Sequence, residues 1–501
     1  MFDKRFLPMA NLRNRTLDSC SKPLGLWATL VGFGVLFALI SVVNHHLFRT
    51  SALDLGMMNH ALHSFSEFQS NTYTLGLRAS AEKPFMGTHF SPIMFLYVPI
   101  YWILGNSSLL WIQIGVILLG GVAMHRIARS QSNDSNAIWS VIHFLTIWGI
   151  YSALEFDFHN NVVGAMLVPW LWVFLSEQRK IPATLVMVMI LACQENMGLW
   201  MVFVITGFLM HEKRLFKARS FRFEWPLVAF SALYFFLALT WFMPTIAGEL
   251  HSSQLSRYSH WGDGLLEIAG NLLAHPVDAL EQLFTSDHRN APAKMEFHVM
   301  MLVAGGWACL RHPHFLWMLI PIYAQKMLSN APEFWGVGRQ YSIEFVPIIA
   351  LAAMTVANTW PRSFRILYPL LCLVTFGSTI LKTKHRKDYF KRENVDFFYA
   401  PHYKTNLKVD LIQEVLDDIP ADIPLSVSSS LSPHLANREC IRMFPLVKDT
   451  EMIVLLTKAG HEWPLSRDEF EHEVQRLRAS KDHVVLTDES DILVLQVLPK
   501  P

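Results

Sequence analysis

Apolar stretches long enough to cross a bilayer recur along most of this chain, and they restrict its fold more than any other feature. The first covers residues 24–43 without a charged side chain. At about 1.5 Å of rise per residue it matches a hydrocarbon layer of roughly 30 Å. Backbone groups in hydrocarbon must bond among themselves, so such stretches are expected to be helices. Composition agrees: 52% of the residues are hydrophobic and 17% charged, with 35 Phe and 16 Trp, too apolar for an ordinary soluble enzyme. A formal net charge of +1, with no basic helix carrying interleaved aromatics, excludes nucleic acid as the expected partner. The five cysteines form no CxxC pair, so neither a thiolate metal site nor a disulfide framework is expected.

Residues 1–23 form a leader with Lys4, Arg5, Arg13 and Arg15. It is expected to stay cytoplasmic, ahead of a retained signal-anchor helix. A first outer loop follows at 45–106, hydrophilic from His45 to His89. The apolar block 92–127 is too long for one span and is broken at Gly105-Asn106-Ser107-Ser108. Two full spans would place Arg126 and Arg129 opposite the N-terminus. Reading 92–104 as an interfacial helix returns those arginines to the N-terminal side, as the positive-inside rule prefers. Spans are then expected up to 127 and at 137–153, 162–175, 183–193, 197–210, 227–246, 298–310, 315–328, 343–357 and 364–381. With the first, that makes about eleven. The basic loops 177–180, 211–222, 311–314 and 360–362 all fall on the cytoplasmic side. The run Lys382-Thr383-Lys384-His385-Arg386-Lys387 opposes this arrangement, because the last span should exit outward. Large domains translocate largely regardless of charge, so 382–403 is read as a basic linker on the outer side.

Residues 404–501 read as a small soluble, non-cytoplasmic α/β domain of about a hundred residues. A helix is expected at 407–419, strands at 424–428 and 452–456, a charged helix at 467–478, and a hairpin from 484–486 and 492–495. The domain has no phosphate-cradling glycine loop. The expected fold is therefore mainly α, a polytopic membrane domain at 24–381 followed by this small domain.

Polar groups gather on the outer side of that topology. Asp54 lies in Ser51-Ala52-Leu53-Asp54-Leu55-Gly56, and His89 ends the first polar loop. Glu155, Asp157 and His159 share one short connection, Glu195 sits in the turn Cys193-Gln194-Glu195-Asn196, and Arg257 and His288 lie in a long loop. Arg339 and Tyr341 arrive in Gly338-Arg339-Gln340-Tyr341. Acids and imidazoles at membrane depth are costly unless they line a polar cavity. Each also has a plainer reading. Asp54 could be an exposed residue or a helix cap. The i, i+2 pair Asp157 and His159 could cap the next helix, chelate a divalent metal or touch substrate. Glu195 could cap the helix after it, and Arg339 could anchor a loop at the interface. The run holding Arg386 and Lys387 suits lipid headgroups or a phosphate. No cofactor is called for by any motif.

A working site for sugar transfer from a lipid phosphate needs a carboxylate to deprotonate the acceptor hydroxyl. It also needs cations beside the departing phosphate, a place for Arg339, Arg386 or Lys387. The lipid tail needs a groove, which the helix at 92–104 could line.

Leu53-Asp54-Leu55-Gly56, Gly87-Thr88-His89-Phe90-Ser91-Pro92 and Glu155-Phe156-Asp157-Phe158-His159 together resemble domain-of-unknown-function family 2079. Gln194-Glu195-Asn196 and Ser432-Pro433-His434-Leu435-Ala436-Asn437-Arg438 add weaker matches. That family looks like a branch of the type C glycosyltransferase superfamily. The resemblance implies inverting transfer of a sugar from a polyprenyl-phosphate donor to a glycan, lipid or protein acceptor, outside the cytoplasmic membrane. The base maps onto Asp54 and the second acidic loop onto Asp157, with His89, Glu155, His159, Glu195, Arg339 and Tyr341 around the substrate. Gln194 departs from the family pattern, which tends to have lysine there. Two other classes fit a polytopic chain: a transporter or lipid flippase, and a non-catalytic assembly protein. A transporter would more often show paired, Gly/Pro-interrupted spans in two halves, and none is evident.

Overall fold

The computed structural model describes residues 23–76, 83–131, 134–249, 253–385, 391–489 and 491–499. The leader's basic residues, and Arg386 and Lys387, lie outside the described residues. The first helix, Pro23–His46, runs 24 residues. Leu24, Trp27, Val31, Val35 and Leu39 stay exposed along one stripe of it. Their three- and four-residue spacing marks a single helix face. Leu30, Phe37 and Ile40 are buried on the other side, where the helix packs against Ser108–Gln131. An exposed apolar stripe opposite a packed one is what lipid contact requires of a helix.

Of the roughly eleven expected spans, only some reach bilayer length as single helices. Four helical stretches are long and apolar enough to cross a membrane: Leu24–His46, Pro92–Gln131, Glu224–Ala247 and Gln340–Ala357. A fifth is added if Asn136–Thr146 and Trp148–Leu154, bent by 47°, count as one. Asn160–Ser176, Lys180–Leu191 and Met197–His211 are shorter apolar helices. The 12 residues of Lys180–Leu191 make a rod of about 18 Å, well under the hydrocarbon thickness. The stretch expected as one span at 298–310 is also interrupted, by Gly305 with φ at 94°.

The break read at Gly105-Asn106-Ser107-Ser108 is present. Gly105 takes φ 58°, a left-handed conformation that glycine adopts at little cost. It separates Val98–Leu104 from Ser108–Gln131. Phe95, Leu96, Ile100, Trp102 and Ile103 are exposed, while Met94, Tyr97, Val98 and Tyr101 pack inward. At the centre of the bundle, Phe345–Ala357 buries nearly every side chain, so its apolar character is core rather than lipid contact.

A two-stranded hairpin of β1 (Thr72–Tyr73) and β2 (Lys83–Pro84) closes part of the first loop. The C-terminal region forms a five-stranded sheet from β3 (Leu425–Val427), β4 (Ile441–Met443), β5 (Met452–Leu456), β6 (His483–Glu489) and β7 (Ile492–Val497), in the order β4-β3-β5-β7-β6. β3 pairs in parallel with β4 and β5, and β7 pairs antiparallel with β5 and β6. Helices Val409–Asp417 and Arg467–Ala479 form where their periodicity predicts, the second opened by a Ser466/Glu469 capping box.

This sheet region is fastened to the first loop. The Arg49 guanidinium donates to the carbonyls of Glu393, His402 and Lys404 at 2.9, 2.7 and 2.7 Å. Asn59 donates to the Pro433 carbonyl at 3.1 Å, and the Ala52 amide to Ser429 Oγ at 3.2 Å. Phe48, Ala52 and Leu75 share a core with Leu425, Val427 and Leu431.

Candidate functional site

Asp54 sits on a single π-helical turn, Ala52–Gly56, where the Gly56 amide reaches back five residues to the Ser51 carbonyl at 2.9 Å. Such turns insert one extra residue ahead of a regular helix and recur at functional sites. Here the α-helix Met57–Ser66 follows directly. Asp157 clamps the turn from outside. Its Oδ2 accepts from the Ser51 amide at 2.9 Å, from Ser51 Oγ at 3.3 Å and from the Leu55 amide at 3.5 Å. Asp157 itself takes φ 56°, which Asp tolerates better than most residues. Gln113 straps that connection, donating to the Asp157 carbonyl at 2.8 Å and accepting from the His159 amide at 3.1 Å. A span and an acidic loop thus fix the orientation of the first-loop acid.

The Asp54 carboxylate is held on both oxygens. His159 Nε2 lies 3.2 Å from Oδ1, and Ser51 Oγ donates to Oδ2 at 3.2 Å. Its side chain stays 23% exposed, so a proton-bearing ligand can reach it. The exposure opens into a cavity of about 360 Å³, within the range of small-molecule sites. Asp54, His89, His159, Glu195 and Tyr341 all line it. The sequence spreads these residues over five segments, and the fold brings them to one cavity.

Other sequence candidates lie elsewhere. Asp157 is outside the lining and does its work through the Ser51–Leu55 amides. Glu155 accepts from Thr383 Oγ1 at 3.2 Å, away from the cavity. Arg339 stacks on the Phe156 ring, 5.0 Å from its centre, and does not reach the lining. The turn Gln340–Ser342 packs on Trp148–Leu154, which presents Gln340 and Tyr341 to the cavity and leaves Arg339 behind. Lys382 in the basic run pairs with Glu296. Asp157 Oδ2 accepts from the Ser51 amide, and His159 Nε2 faces Asp54. Among the described residues no group of three or more His, Cys, Asp or Glu is placed to hold a metal ion. The groove expected along 92–104 is absent from the lining. Leu199, Trp200, Leu239, Ile268 and Leu272 supply the apolar wall instead.

The cations that do line the cavity are Arg257 and Lys326. Arg257 stacks on Phe334, 4.7 Å from its centre, and Phe334 stacks on Tyr341 at 4.0 Å. Lys326 Nζ bonds Glu344 Oε2 at 2.9 Å with both side chains 2% exposed, and Asn161 donates to Glu344 Oε1 at 3.2 Å. Two charges removed from water persist only in such a hydrogen-bonded pair. A signal for Lys326 was available, since a lone lysine inside an apolar helix is a functional-site candidate by default. His89 is pushed down to about 4 by burial and by the neighbouring Arg257 and His159, against the pull of Asp54, so it is neutral at ordinary pH.

The fold resembles that of a solved membrane protein. The crystal structure of ArnT from Cupriavidus metallidurans bound to undecaprenyl phosphate superposes with a TM-score of 0.53 at 11% identity, over 95% of this chain and 98% of that one. The apo state of ArnT gives 0.48 at 12% identity, over 93% and 98%. The Archaeoglobus fulgidus oligosaccharyltransferase in its apo form gives 0.37 at 8% identity, over 86% and 69%. The comparison with curated proteins gives no match. The model of a family described as predicted membrane protein (DUF2079) matches residues 44–494. With that match covering most of its length, the chain belongs to the DUF2079 family of predicted membrane proteins.

Proposed function

We propose that this protein is an integral membrane glycosyltransferase. It moves a sugar from a polyprenyl-phosphate donor to a glycan, lipid or protein acceptor at the outer face of the cytoplasmic membrane. One observation carries the reading: a single cavity is lined by a reachable carboxylate, Asp54, by two cations, Arg257 and Lys326, and by a long apolar wall. These are the three parts that transfer from a lipid phosphate needs. The ArnT structure that shares the fold holds undecaprenyl phosphate, a ligand of the same chemical kind.

Asp54 takes the proton from the acceptor hydroxyl, whose oxygen then bonds the anomeric carbon with inversion. The bond from that carbon to the phosphate oxygen breaks, and its electron pair leaves with the phosphate. Arg257 meets the charge that develops there, with Lys326 beside it held on Glu344. His159 Nε2 fixes the Asp54 carboxylate, and Asp157 positions the turn that bears it, a supporting role rather than a second base. Leu199, Trp200, Leu239, Ile268 and Leu272 take the first isoprene units of the tail.

In this reading the short helices complete about eleven membrane crossings. The N-terminus is cytoplasmic, the sheet region lies outside, and Asp54 faces outward with it.

Asp54→Asn is expected to lower transfer from a polyprenyl-phosphate sugar by about 10²–10⁴-fold, the usual contribution of a general base. Donor binding should stay near that of the native protein, because the side chain keeps its shape. Undiminished transfer by the variant would remove Asp54 as the base.

A further inference from the structure

Of the two cations on the cavity wall, Lys326 is spent on Glu344, and Arg257 is held in a different way. Arg257 is half-buried and lines the cavity. Among the described residues no carboxylate forms an ion pair with it. Its Nη1 donates to Gln254 Oε1, which leaves most of the guanidinium's five N–H donors uncommitted. The turn that carries it, Ser253–Tyr258, is fastened at three points. Gln254 Nε2 donates to the Thr88 carbonyl at 2.9 Å, the Asn330 amide to the Arg257 carbonyl at 2.9 Å, and the Tyr258 hydroxyl to the Gln325 carbonyl. The backbone at Arg257 is therefore fixed, and the long side chain is steadied by a ring.

That ring is Phe334, 6% exposed. The guanidinium carbon of Arg257 lies 4.7 Å from its centre, and the Tyr341 ring stacks on it at 4.0 Å and 22°. The loop that bears Phe334 is bonded to itself. The Ala331 amide donates to Ser329 Oγ at 3.0 Å, and Trp335 Nε1 to the Ser329 carbonyl at 3.0 Å. Lys294 Nζ sits 4.4 Å from the centre of the Trp335 ring and donates to the Met327 carbonyl at 2.9 Å, bracing the loop at its base. A carboxylate could orient a guanidinium as well as a ring does. It would also neutralise the charge and take the donors that a phosphate needs. An aromatic face attracts the cation without accepting its in-plane N–H groups, which stay available to an anion.

Resting on the glycosyltransferase reading, we infer that Phe334 is a positioning residue for Arg257: its ring holds the guanidinium at the cavity, charged and unpaired, for the phosphate of the lipid-linked donor. Phe334 itself does not touch the phosphate and acts only through Arg257.

The test titrates the purified full chain with undecaprenyl phosphate and with undecaprenol, which has the same tail and no phosphate. Phe334→Leu keeps apolar bulk and removes the ring, and Phe334→Met does the same should the leucine variant fold poorly. Either is expected to weaken undecaprenyl phosphate about tenfold while leaving undecaprenol within about twofold. Phe334→Tyr puts a ring back and should recover most of the loss. In an Arg257→Gln background, Phe334→Leu should cost less than about twofold more, because its effect passes through the missing guanidinium. Native binding of the lipid phosphate by a ringless variant overturns the role of Phe334. Equal losses for undecaprenol, or a loss that adds in full to that of Arg257→Gln, make Phe334 a packing residue and overturn it too. Failure of undecaprenyl phosphate to bind the native chain, or native binding by Arg257→Gln, overturns the donor-site reading and this inference with it.

Discussion

A carboxyl group taken out of water must gather donors or hold its proton, and burial raises both acids beside Asp54 to about 7 against the donors around them. Burial pushes the Glu195 carboxyl from 4.5 up to about 7, against its own backbone amide, Arg257, the Phe90 amide and Gln194. The folded chain therefore holds a proton on Glu195 that the unfolded chain has released between about pH 4.5 and 7. Its contribution to stability is full below pH 4.5 and is lost as pH rises through 7. Thermal melts of Glu195→Gln are expected to lack this part of the decline. A melt curve as steep with pH as the native one would show that another group causes it. Asp157 is pushed up by burial and by Asp54, and pulled down by the amides of Ser51 and Leu55. Asp157→Asn keeps an acceptor for those amides and is expected to retain transfer within about tenfold. Asp157→Ala leaves them unpaired, costs about 1–3 kcal/mol of stability and loses activity with the turn. If Asp157→Asn instead abolished transfer in a well-folded protein, Asp157 would touch the reacting atoms.

Among the elements, the turns that carry site residues depend on close backbone approach. A Cβ on Gly149 would lie 2.8 Å from the Ser342 carbonyl and 2.8 Å from Val346 Cγ2. The helix Trp148–Leu154 thus sets the position of Gln340 and Tyr341 through a glycine contact. Gly149→Ala is expected to cost about 1–3 kcal/mol through overpacking and to raise KM for the lipid-linked donor. A variant with native melting and native KM would show that the contact is slack. The π turn has a similar neighbour, since a Cβ on Gly56 would meet Ser432 Cβ at 3.1 Å. The sheet region and the Asp54 turn therefore press directly on each other.

For the whole molecule, that contact ties the side of Asp54 to the side of the C-terminus. Arg49, Asn59 and the Ala52 amide all bond the region after residue 390. A reporter fused after Pro501 is expected to read as non-cytoplasmic, despite the basic run that begins at Lys382. A cytoplasmic reading would put Asp54 on the cytoplasmic side with it and remove an outward-facing donor site.

The sequence by itself determined the membrane class, the break at Gly105 and most elements of the C-terminal region, β4 excepted. Each of these is written in short-range terms: apolar run length, a glycine that accepts a left-handed φ, and the short continuous apolar runs of β5 and β7. It also marked Asp54, His89, His159 and Glu195 as polar groups that need a reason to sit at membrane depth. It gave no means of choosing Arg257 over Arg339, since both are arginines on loops and only packing puts one in the cavity and the other on Phe156. Run length likewise overcounted helices that meet the bilayer-length criterion, because several apolar helices owe their character to burial against one another as well as to lipid. Which side chains share a wall depends on contacts between segments a hundred or more residues apart, such as His159 with Asp54, and no local pattern encodes those distances. That convergence was decided by the tertiary structure, where helix packing and glycine contacts fix how the turns meet.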